Sequence, residues 1–257
     1  EVWKMMLANV RTPRGNYGDM RALISAVDLG EIRFRELVSK YGVDVFSRTL
    51  SDLLDYSERR MRAEISAFPD GKYTFVDKVE DDGIENKEYE IHVAVHVHRD
   101  EVIIDYSGSS PQAKGPINAT LGVAWSAAFN AMLHLTDQSI PKNSGCFRPI
   151  RVIAPAGTIM NVDYPGSEVG GNTETHPLIV CAIFGAMANC VPQRVMASEG
   201  TTHGCFVFGG HDKVTDEPFG GFDFSYVGYG GRSFADGNDA TDSINGNCAN
   251  TPMEVFE

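Results

Sequence analysis

The segment from Gly170 to Pro192 constrains the fold of this chain more than any other. It reads G-G-N-T-E-T-H-P-L-I-V-C-A-I-F-G-A-M-A-N-C-V-P, and residues 178–188 are apolar on every face of a helix. A helix that is apolar all round is buried rather than amphipathic. Pro177 fits only a first helical turn, so we expect the helix to begin near Thr175. The chain is therefore predicted to fold around a buried central helix.

A dense polar run precedes this helix and includes Asn172, Glu174, Thr175 and His176. The N-terminus of a helix has unpaired N–H groups and a partial positive charge. An anionic ligand or intermediate would bind well beside such an end. These four residues are therefore candidates for a functional site. The sequence leaves an alternative open, in which they only satisfy the first turn of a core helix.

Composition narrows the classes of protein and partner. With 257 residues, 42% of them hydrophobic and 22% charged, the chain can form one large domain or two small ones. The net charge is -13 and the Lys and Arg residues are scattered, so nucleic acid is not an expected partner. No signal peptide is recognised, and the apolar run before Pro192 is too short to span a bilayer. We therefore expect no membrane partner.

Cysteine usage indicates the compartment. The chain has five cysteines, an odd number, without a C-x-x-C pair. This pattern is typical of reduced thiols, so we expect a cytoplasmic protein in which Cys181 and Cys190 are buried near the central helix. The sequence begins at Glu1 within a helical pattern and ends within a strand pattern. We therefore expect a fragment of a longer polypeptide.

The hydrophobic period changes near Pro69. Before it, apolar residues recur every three to four positions, which predicts helices over residues 1–10, 18–41 and 43–68. After it, strict alternation predicts a hairpin of strands over residues 88–97 and 102–106. We accordingly expect a helical subdomain over residues 1–69 and a mixed domain over residues 70–257.

The second part of the chain mixes helices and strands. We predict a helix over residues 117–135, a strand pair over residues 147–154 and 158–162, the central helix, short strands over residues 195–223, and no packed element over residues 228–250. The predicted fold class is α+β: an N-terminal helical part is followed by mixed or antiparallel sheets that pack around the buried central helix.

Short motifs give few direct indications of chemistry. Neither a G-x-x-x-x-G-K-[ST] nor a G-x-G-x-x-G sequence occurs, so no nucleotide site is predicted on this chain. His92, His96 and His98 follow one strand. Residues two apart on a strand stand about 7 Å apart, so three imidazoles do not converge on one ion and no metal site is predicted here.

Two segments combine hydroxyl side chains with glycine at the end of a strand. They are Ser107-Gly108-Ser109-Ser110 and Gly200-Thr201-Thr202-His203-Gly204. Backbone N–H groups in such segments can form an anion-binding nest, although an ordinary tight turn is the alternative. Ser109 and Thr201 are therefore candidates for binding a substrate or an anion, together with Arg232.

Motifs along the whole chain resemble those of the hydantoinase B/oxoprolinase family. In chain order they are N-V-R-T-P at Asn9, G-D-M-R-A at Gly18, P-D-G-K-Y at Pro69, D-Y-S-G-S-S at Asp105, G-P-I-N-A at Gly115, P-K-N-S-G-C-F-R-P at Pro141, A-P-A-G-T at Ala154, G-G-N-T-E-T at Gly170, G-T at Gly200, G-G at Gly209, D-G at Asp236 and N-T-P-M-E-V at Asn250. Each motif is short, and their order along the chain is that of the family.

The resemblance implies a subunit of an ATP-dependent hydrolase that opens cyclic amides such as hydantoins, 5-oxoproline or lactams. It implies a hydantoinase A-type partner that binds ATP with Mg²⁺ and phosphorylates the amide oxygen, and therefore a hetero-oligomer. It also implies a divalent metal held by a segment before the N-V-R-T-P motif. That segment is missing from this sequence, so we expect no cofactor on this chain and no activity from it alone.

Two alternatives accompany this interpretation. Acetone and acetophenone carboxylases are similar to the same family. The N-T-P-M-E motif resembles the hydrolases, whereas His176 and Pro177 stand where hydantoinases often have Ser and Gln. The other alternative is a scaffold without catalytic residues that docks the ATP-binding partner. For the hydrolase, we expect Glu174 or Asp19 to act as the base and the helix end at Thr175 to act as a donor.

Overall fold

The structure is a computed structural model that describes residues 1–202, 204–225, 228–239 and 241–246, with the backbone alone at residues 205 and 222–225. His203, Cys248 and the N-T-P-M-E-V motif lie outside the described residues. By Cα proximity, the chain forms two compact units. One comprises residues 1–53 and 205–223, and the other comprises residues 54–204 and 224–257.

Helices make up most of the first unit. They are α1 (Val2–Ala8), α2 (Pro13–Tyr41) and the first part of α3 (Val43–Ile65). The α2 helix begins five residues before the predicted start at Gly18, because Pro13 takes the first-turn position in which a missing N–H costs nothing. Gly42, with a φ of +80°, ends the helix. No residue of α2 is buried.

Strands β5 (Gly204–His211) and β6 (Pro218–Ser225) pair as a two-stranded sheet. Most of their residues belong to the first unit. The short strands predicted between residues 195 and 223 are thus found from residue 204 onwards.

A four-stranded mixed sheet forms one layer of the second unit. Its order is β1 (Gly71–Val79), β2 (Tyr89–His98), β3 (Glu101–Asp105) and β4 (Ile150–Ile153). The β1–β2 and β2–β3 pairs are antiparallel, and the β3–β4 pair is parallel. Alternate residues of β2 from Tyr89 to Val97 are buried, as the period of two predicted.

Two predictions about strands were wrong. The β1 strand was not predicted, and the expected hairpin about Pro155 does not form. The β4 strand instead pairs in parallel with β3, while Thr158 makes only isolated bridges to Pro111 and Asn161. Sequence alternation indicates that a segment is extended, but it does not indicate which distant strand will pair with it.

The central helix is confirmed. A π-helical turn (Gly171–Thr175) leads directly into α6 (His176–Met187), and α6 packs against α4 (Leu121–Leu135), β1 and β2. Ten of the twelve residues of α6 are buried. The α4 helix begins four residues later than predicted, because the Thr120 hydroxyl caps it by accepting from the Val123 N–H. A short helix, α5 (Ser144–Phe147), precedes β4.

The segment beyond residue 228 has no helix or strand among residues 228–239 and 241–246, yet part of it is packed. Residues 241–244 are buried. The Glu199 carboxylate accepts from the Ser243 hydroxyl at 2.7 Å and from the Ile244 N–H at 3.0 Å. The prediction of an unpacked region was therefore wrong here, because buried hydrogen bonds replace regular secondary structure.

The predicted domain boundary near residue 69 stays a prediction. The change of period does fall there, since α3 ends at Ile65 and β1 begins at Gly71. The compact units, however, divide between Leu53 and Leu54, within α3. Because the helical period of α3 runs through the division between the two units, the period of the sequence does not indicate where they divide.

Two further findings concern expectations from composition. Cys146, Cys181 and Cys190 are free and buried, and burial raises the pKa of each thiol. Across the residues that the structure describes, no helix combines the length and the apolar character needed to cross a membrane.

Candidate functional site

The π-helical turn at residues 171–175 is the most unusual backbone feature near the predicted site. The His176 N–H bonds to the Gly171 carbonyl, so the helical path begins at Gly171 rather than at Thr175. A single π-helical turn beside an α-helix is rare, and such turns are often found at functional sites. The His176 N–H is thus used within the helix and is not one of the unpaired N–H groups predicted at the helix start near Thr175.

A close contact with the loop at residues 115–119 explains the two glycines. A Cβ atom on Gly171 would lie 2.1 Å from the Asn118 carbonyl oxygen, and one on Gly170 would lie 2.7 Å from that of Pro116. The Gly170 N–H donates to the Pro116 carbonyl at 2.6 Å. The G-P-I-N-A and G-G-N-T-E-T motifs, distant in sequence, therefore meet here.

Asn118 gives this loop its shape. Its side chain is fully buried, accepts from the Ala113 N–H at 2.7 Å, and donates to the carbonyls of Ala113, Gly115 and Ser167. Such an amide, with its donors and its acceptor used, fixes the loop against which the π-helical turn packs. Thr175, also fully buried, donates its hydroxyl to the Ile117 carbonyl. Its predicted role as a donor to substrate stays a prediction, and the hydroxyl is already used in the structure.

Asp82 anchors the other side of the loop. Its carboxylate accepts from the N–H groups of Ile84, Glu85 and Gly115 and from the Tyr89 hydroxyl. These donors hold the pKa of the Asp82 carboxyl well below its usual range. Burial, together with the Asp82 carboxylate, raises the pKa of Tyr89 to about 12. The charge of Asp82 is therefore part of the framework behind the turn.

Glu174 lies on one side of the π-helical turn, in a cleft of about 560 Å³ that we call the acidic cleft. It accepts a hydrogen bond from the Thr202 hydroxyl. Thr201, which has a φ of +53°, lines the same cleft. The other charged residues that line it are Asp77, Lys78, Glu80 and Asp81. With four carboxylates and one ammonium group, this cleft does not favour an anion.

Asn172 and His176 line a different cleft of about 540 Å³, which we call the aromatic cleft. One wall is the face of α4 that carries Phe129 and Leu133, and Phe147 of α5 stacks on Phe129 with 4.2 Å between ring centroids. The rest of the lining is formed by Ser126, Asn130, His134, Tyr229, Ile244, Asn245 and Gly246. Neighbouring positions of one turn thus contribute to two clefts of different chemistry.

The remaining candidates are placed differently. Arg232 lines a third cleft of about 310 Å³, which adjoins the acidic cleft because Asp77 and Ser198 line both. Ser109 is buried, accepts from the His92 N–H and donates to the Tyr106 carbonyl, and lines none of these three clefts. Asp19 is exposed on α2 in the other compact unit. Their predicted functional roles stay predictions.

Sequence reasoning missed several residues that shape the site. Thr202, Asp82 and Asn118 were not proposed, although Thr202 and Asn118 lie within motifs noted above. The motif G-P-I-N-A was itself the available signal for Asn118, because a glycine and an asparagine in a short loop often mark a close approach and a hydrogen-bonded turn. Nothing local in the sequence indicates that Asp82 binds the N–H of Gly115.

The resemblance implies a divalent metal that is held by a segment before the N-V-R-T-P motif. Among the described residues, no three His, Cys, Asp or Glu side chains come together in a way that could hold a metal ion. The His92 imidazole, for example, lies 2.8 Å from the Glu90 carboxylate on the partly exposed face of β2. No catalytic step is therefore assigned to a metal on this part of the chain.

Comparison with known proteins agrees with the motifs. The family model for hydantoinase B/oxoprolinase matches residues 1–257. The chain is 33% identical over 267 aligned residues to the B-type subunit of a putative D-/L-hydantoinase from Pseudomonas sp. (strain NS671), with 100% of this chain and 44% of the relative covered. The chain thus spans less than half the length of this relative.

Solved structures extend the comparison to the fold. The crystal structure of an ATP-dependent caprolactamase from Pseudomonas jessenii superposes with a TM-score of 0.86 at 26% identity, over 99% of this chain and 45% of that one. A nucleotide-free acetone carboxylase superposes with the same TM-score of 0.86 at 19% identity, over 99% of this chain and 36% of that one. The second likeness concerns the fold alone.

Proposed function

The chain belongs to the hydantoinase B/oxoprolinase family, and from that premise we propose that it is a B-type subunit of an ATP-dependent hydrolase of cyclic amides. The observation that carries the proposal is the family match over residues 1–257, together with a relative named as the B-type subunit of a hydantoinase. The meeting of two family motifs at the π-helical turn supports it. The substrate class is a hydantoin, 5-oxoproline or a lactam.

The chemistry needs two subunits. An unactivated amide is a poor electrophile, so a hydantoinase A-type partner transfers the γ-phosphoryl group of ATP, bound with Mg²⁺, to the amide oxygen. Water then adds to the activated carbon and gives up a proton to a base. The ring C–N bond breaks with proton transfer to the nitrogen, and a second water releases phosphate from the resulting acyl phosphate. The name of the relative as one subunit of an enzyme supports a hetero-oligomer.

We assign the base to the π-helical turn and the residue that follows it. They present two titratable side chains, Glu174 in the acidic cleft and His176 in the aromatic cleft. The acidic cleft suits a base that must attract a proton better than it suits a departing phosphate, because its other carboxylates repel an anion.

The three buried free thiols support a cytoplasmic location for the protein.

The similarity in fold to an acetone carboxylase favours one alternative, a carboxylase that captures bicarbonate or carbon dioxide with the same kind of phosphorylated intermediate. An assay of the complete complex separates the two. For a hydrolase, cyclic amides are opened in an ATP-dependent reaction whose rate is the same with and without bicarbonate. A strict requirement for bicarbonate, with its carbon recovered in the product, contradicts the proposal.

The same assay with variants of the turn tests whether the chain is only a scaffold. Loss of the base should lower kcat by about 10²-fold or more, so at least one of Glu174→Gln and His176→Gln should do so per folded molecule. Glu168→Gln, at an exposed position that lines neither cleft, is the matched control. Normal turnover in both variants of the turn, with lower melting temperatures alone, means that the turn has a structural role only.

A further inference from the structure

We propose that the aromatic cleft is the binding site for the neutral ring of the cyclic amide. The inference rests on the proposed function and adds a location and a mode of recognition to it. A volume of about 540 Å³ fits a small ring with room to spare, since pockets for small ligands measure about 300–1,000 Å³.

The charge of the two clefts distinguishes them as ligand sites. Among the described residues, the lining of the aromatic cleft contains no Asp, Glu, Lys or Arg, whereas the lining of the acidic cleft contains five such residues. Moving a neutral ring into the aromatic cleft strips no ion of its water. Moving it into the acidic cleft would displace water from several charged groups, and the ring would form few favourable contacts in exchange. A neutral, largely apolar ligand therefore prefers the aromatic cleft.

The walls of the cleft match the faces of a ring. Phe129 and Phe147 are nearly parallel, with 15° between their planes, and Leu133 lies on the same face of α4 as Phe129. Aromatic and aliphatic walls of this kind bury the methylene groups of a lactam or the flat face of a hydantoin. These walls are uncharged and bind the ring rather than the reacting atoms.

The polar groups of the cleft match the amide of the ring. A cyclic amide is cis, so its N–H and C=O point the same way and can pair with the C=O and NH₂ of one asparagine. Asn172 is exposed in the cleft, and its side chain makes no hydrogen bond to any residue that the structure describes. Asn130, by contrast, already donates its amide to the Ile244 carbonyl at 2.9 Å. We therefore assign amide recognition to Asn172.

This placement also chooses between the two titratable groups. Asn172 and His176 stand one helical turn apart and line the same cleft, whereas Glu174 lines the other. A ring held by Asn172 thus lies beside His176. We infer that the effect of His176→Gln on kcat exceeds that of Glu174→Gln in the assay described above.

The test measures binding of 2-piperidinone, a neutral six-membered lactam, to the complete complex without ATP by isothermal titration calorimetry. Ser126→Phe places a ring in the cleft from an exposed position on α4, and Ala63→Phe makes a comparable change on an exposed helical position of α3 outside the three clefts. We expect Ser126→Phe to raise the Kd at least tenfold and Ala63→Phe to leave it unchanged. Equal affinity in the two variants, or no saturable binding by the wild-type complex, overturns the inference.

Asn172→Leu provides a second variant. Because position 172 is exposed, we expect this variant to fold. It should weaken the binding of 2-piperidinone, which can form both hydrogen bonds to Asn172, more than that of N-methyl-2-piperidinone, which keeps the carbonyl but has no N–H. Equal effects on the two lactams contradict the assigned pairing.

The outcomes also separate the two proposals. If the complex opens cyclic amides but Ser126→Phe does not change the affinity for 2-piperidinone, the assignment of the ring to the aromatic cleft is wrong and the proposed function is supported. If no cyclic amide is opened yet the affinity follows the cleft variants, the function is wrong.

Discussion

Two buried polar side chains, Asp82 and Asn118, hold the loop against which the π-helical turn packs. Asn118 bonds to backbone groups, and Asp82 bonds to three backbone N–H groups and the Tyr89 hydroxyl, so both buried side chains are paired. Asp82 differs in carrying a charge, which four donors stabilise. Its contribution to stability therefore depends on pH, while that of Asn118 does not.

The Asp82→Asn variant should show this dependence. The pKa of Asp82 is lowered in the folded protein, so its stabilising contribution is fully present above its unfolded pKa of about 3.9 and is lost as the pH falls through the folded value. We expect a lower melting temperature than wild type at pH 7, and a difference that narrows as the pH falls below about 4.

Thermal unfolding followed by circular dichroism across this pH range checks the prediction. The control is Asp81→Asn, because the Asp81 carboxylate is exposed and, among the residues that the structure describes, accepts a hydrogen bond from the Gly83 N–H alone. A constant difference between Asp82→Asn and wild type from pH 7 to pH 3 would contradict the role assigned to its charge.

At this scale, the sequence predicted which residues surround the turn better than it predicted what they do. Glu174, Thr175 and His176 were all placed at the start of the helix, as found. The hydroxyl of Thr175, however, is used by Ile117, a residue 58 positions earlier. Asp82 and Gly115 are likewise 33 positions apart. Contacts of this range leave no periodic trace in a single sequence.

Among the elements, the π-helical turn is the one whose geometry depends most on its neighbour. The apolar run predicted a buried helix and Pro177 predicted its start, because both signals are local. The turn packs closely on the loop at residues 115–119, a contact that the period of the sequence does not encode. For the same reason, the alternation in β4 predicted a strand but not its parallel partner β3.

Glycine substitutions test this dependence. Gly171→Ala would place a Cβ 2.1 Å from the Asn118 carbonyl oxygen, so the turn and the loop must separate. Overpacking of this kind costs about 1–3 kcal/mol. Gly30→Ala is the matched control on α2, where nothing lies within 4 Å of the new Cβ. It should stabilise the protein by about 0.5–1 kcal/mol, because alanine is the better helix former.

Urea unfolding of the two variants beside wild type measures both effects. Opposite signs are expected from the same chemical change at two helical glycines. If Gly171→Ala is as stable as wild type, the turn does not depend on its contact with the loop.

At the scale of the whole molecule, the two compact units differ in how far their apolar side chains are buried. Apolar side chains of α2 are exposed, including Leu23 and Val27 at 69% and 73%. The apolar residues of the second unit instead form a core around α6. The α+β class and the buried helix were predicted because they follow from composition and period. The domain boundary near residue 69 stays a prediction, because the limits of compact units depend on which helices pack and which stay exposed.

The last prediction concerns nucleotide binding by the whole chain. Triphosphate sites use backbone N–H groups at a glycine-rich loop before a helix, with a lysine beside them. The glycine-rich segment at residues 228–231 has no helix after it among residues 232–239 and 241–246, and a Cβ on Gly230 would lie 1.9 Å from the Ala197 carbonyl, so this glycine serves close packing. The π-helical turn begins at the second of two glycines, but it contributes Glu174 to the acidic cleft.

A net charge of -13 also disfavours a polyanion. We therefore expect no saturable binding of MgATP to the isolated chain below about 1 mM, the upper end of ordinary enzyme affinities, in equilibrium dialysis with radiolabelled nucleotide. The complete complex with the proposed hydantoinase A-type partner should bind MgATP in the micromolar range. Ser126→Phe should not alter that affinity, because the proposed role of the aromatic cleft is to bind the cyclic amide. Micromolar binding by the chain alone would mean that both steps of the reaction belong to one polypeptide.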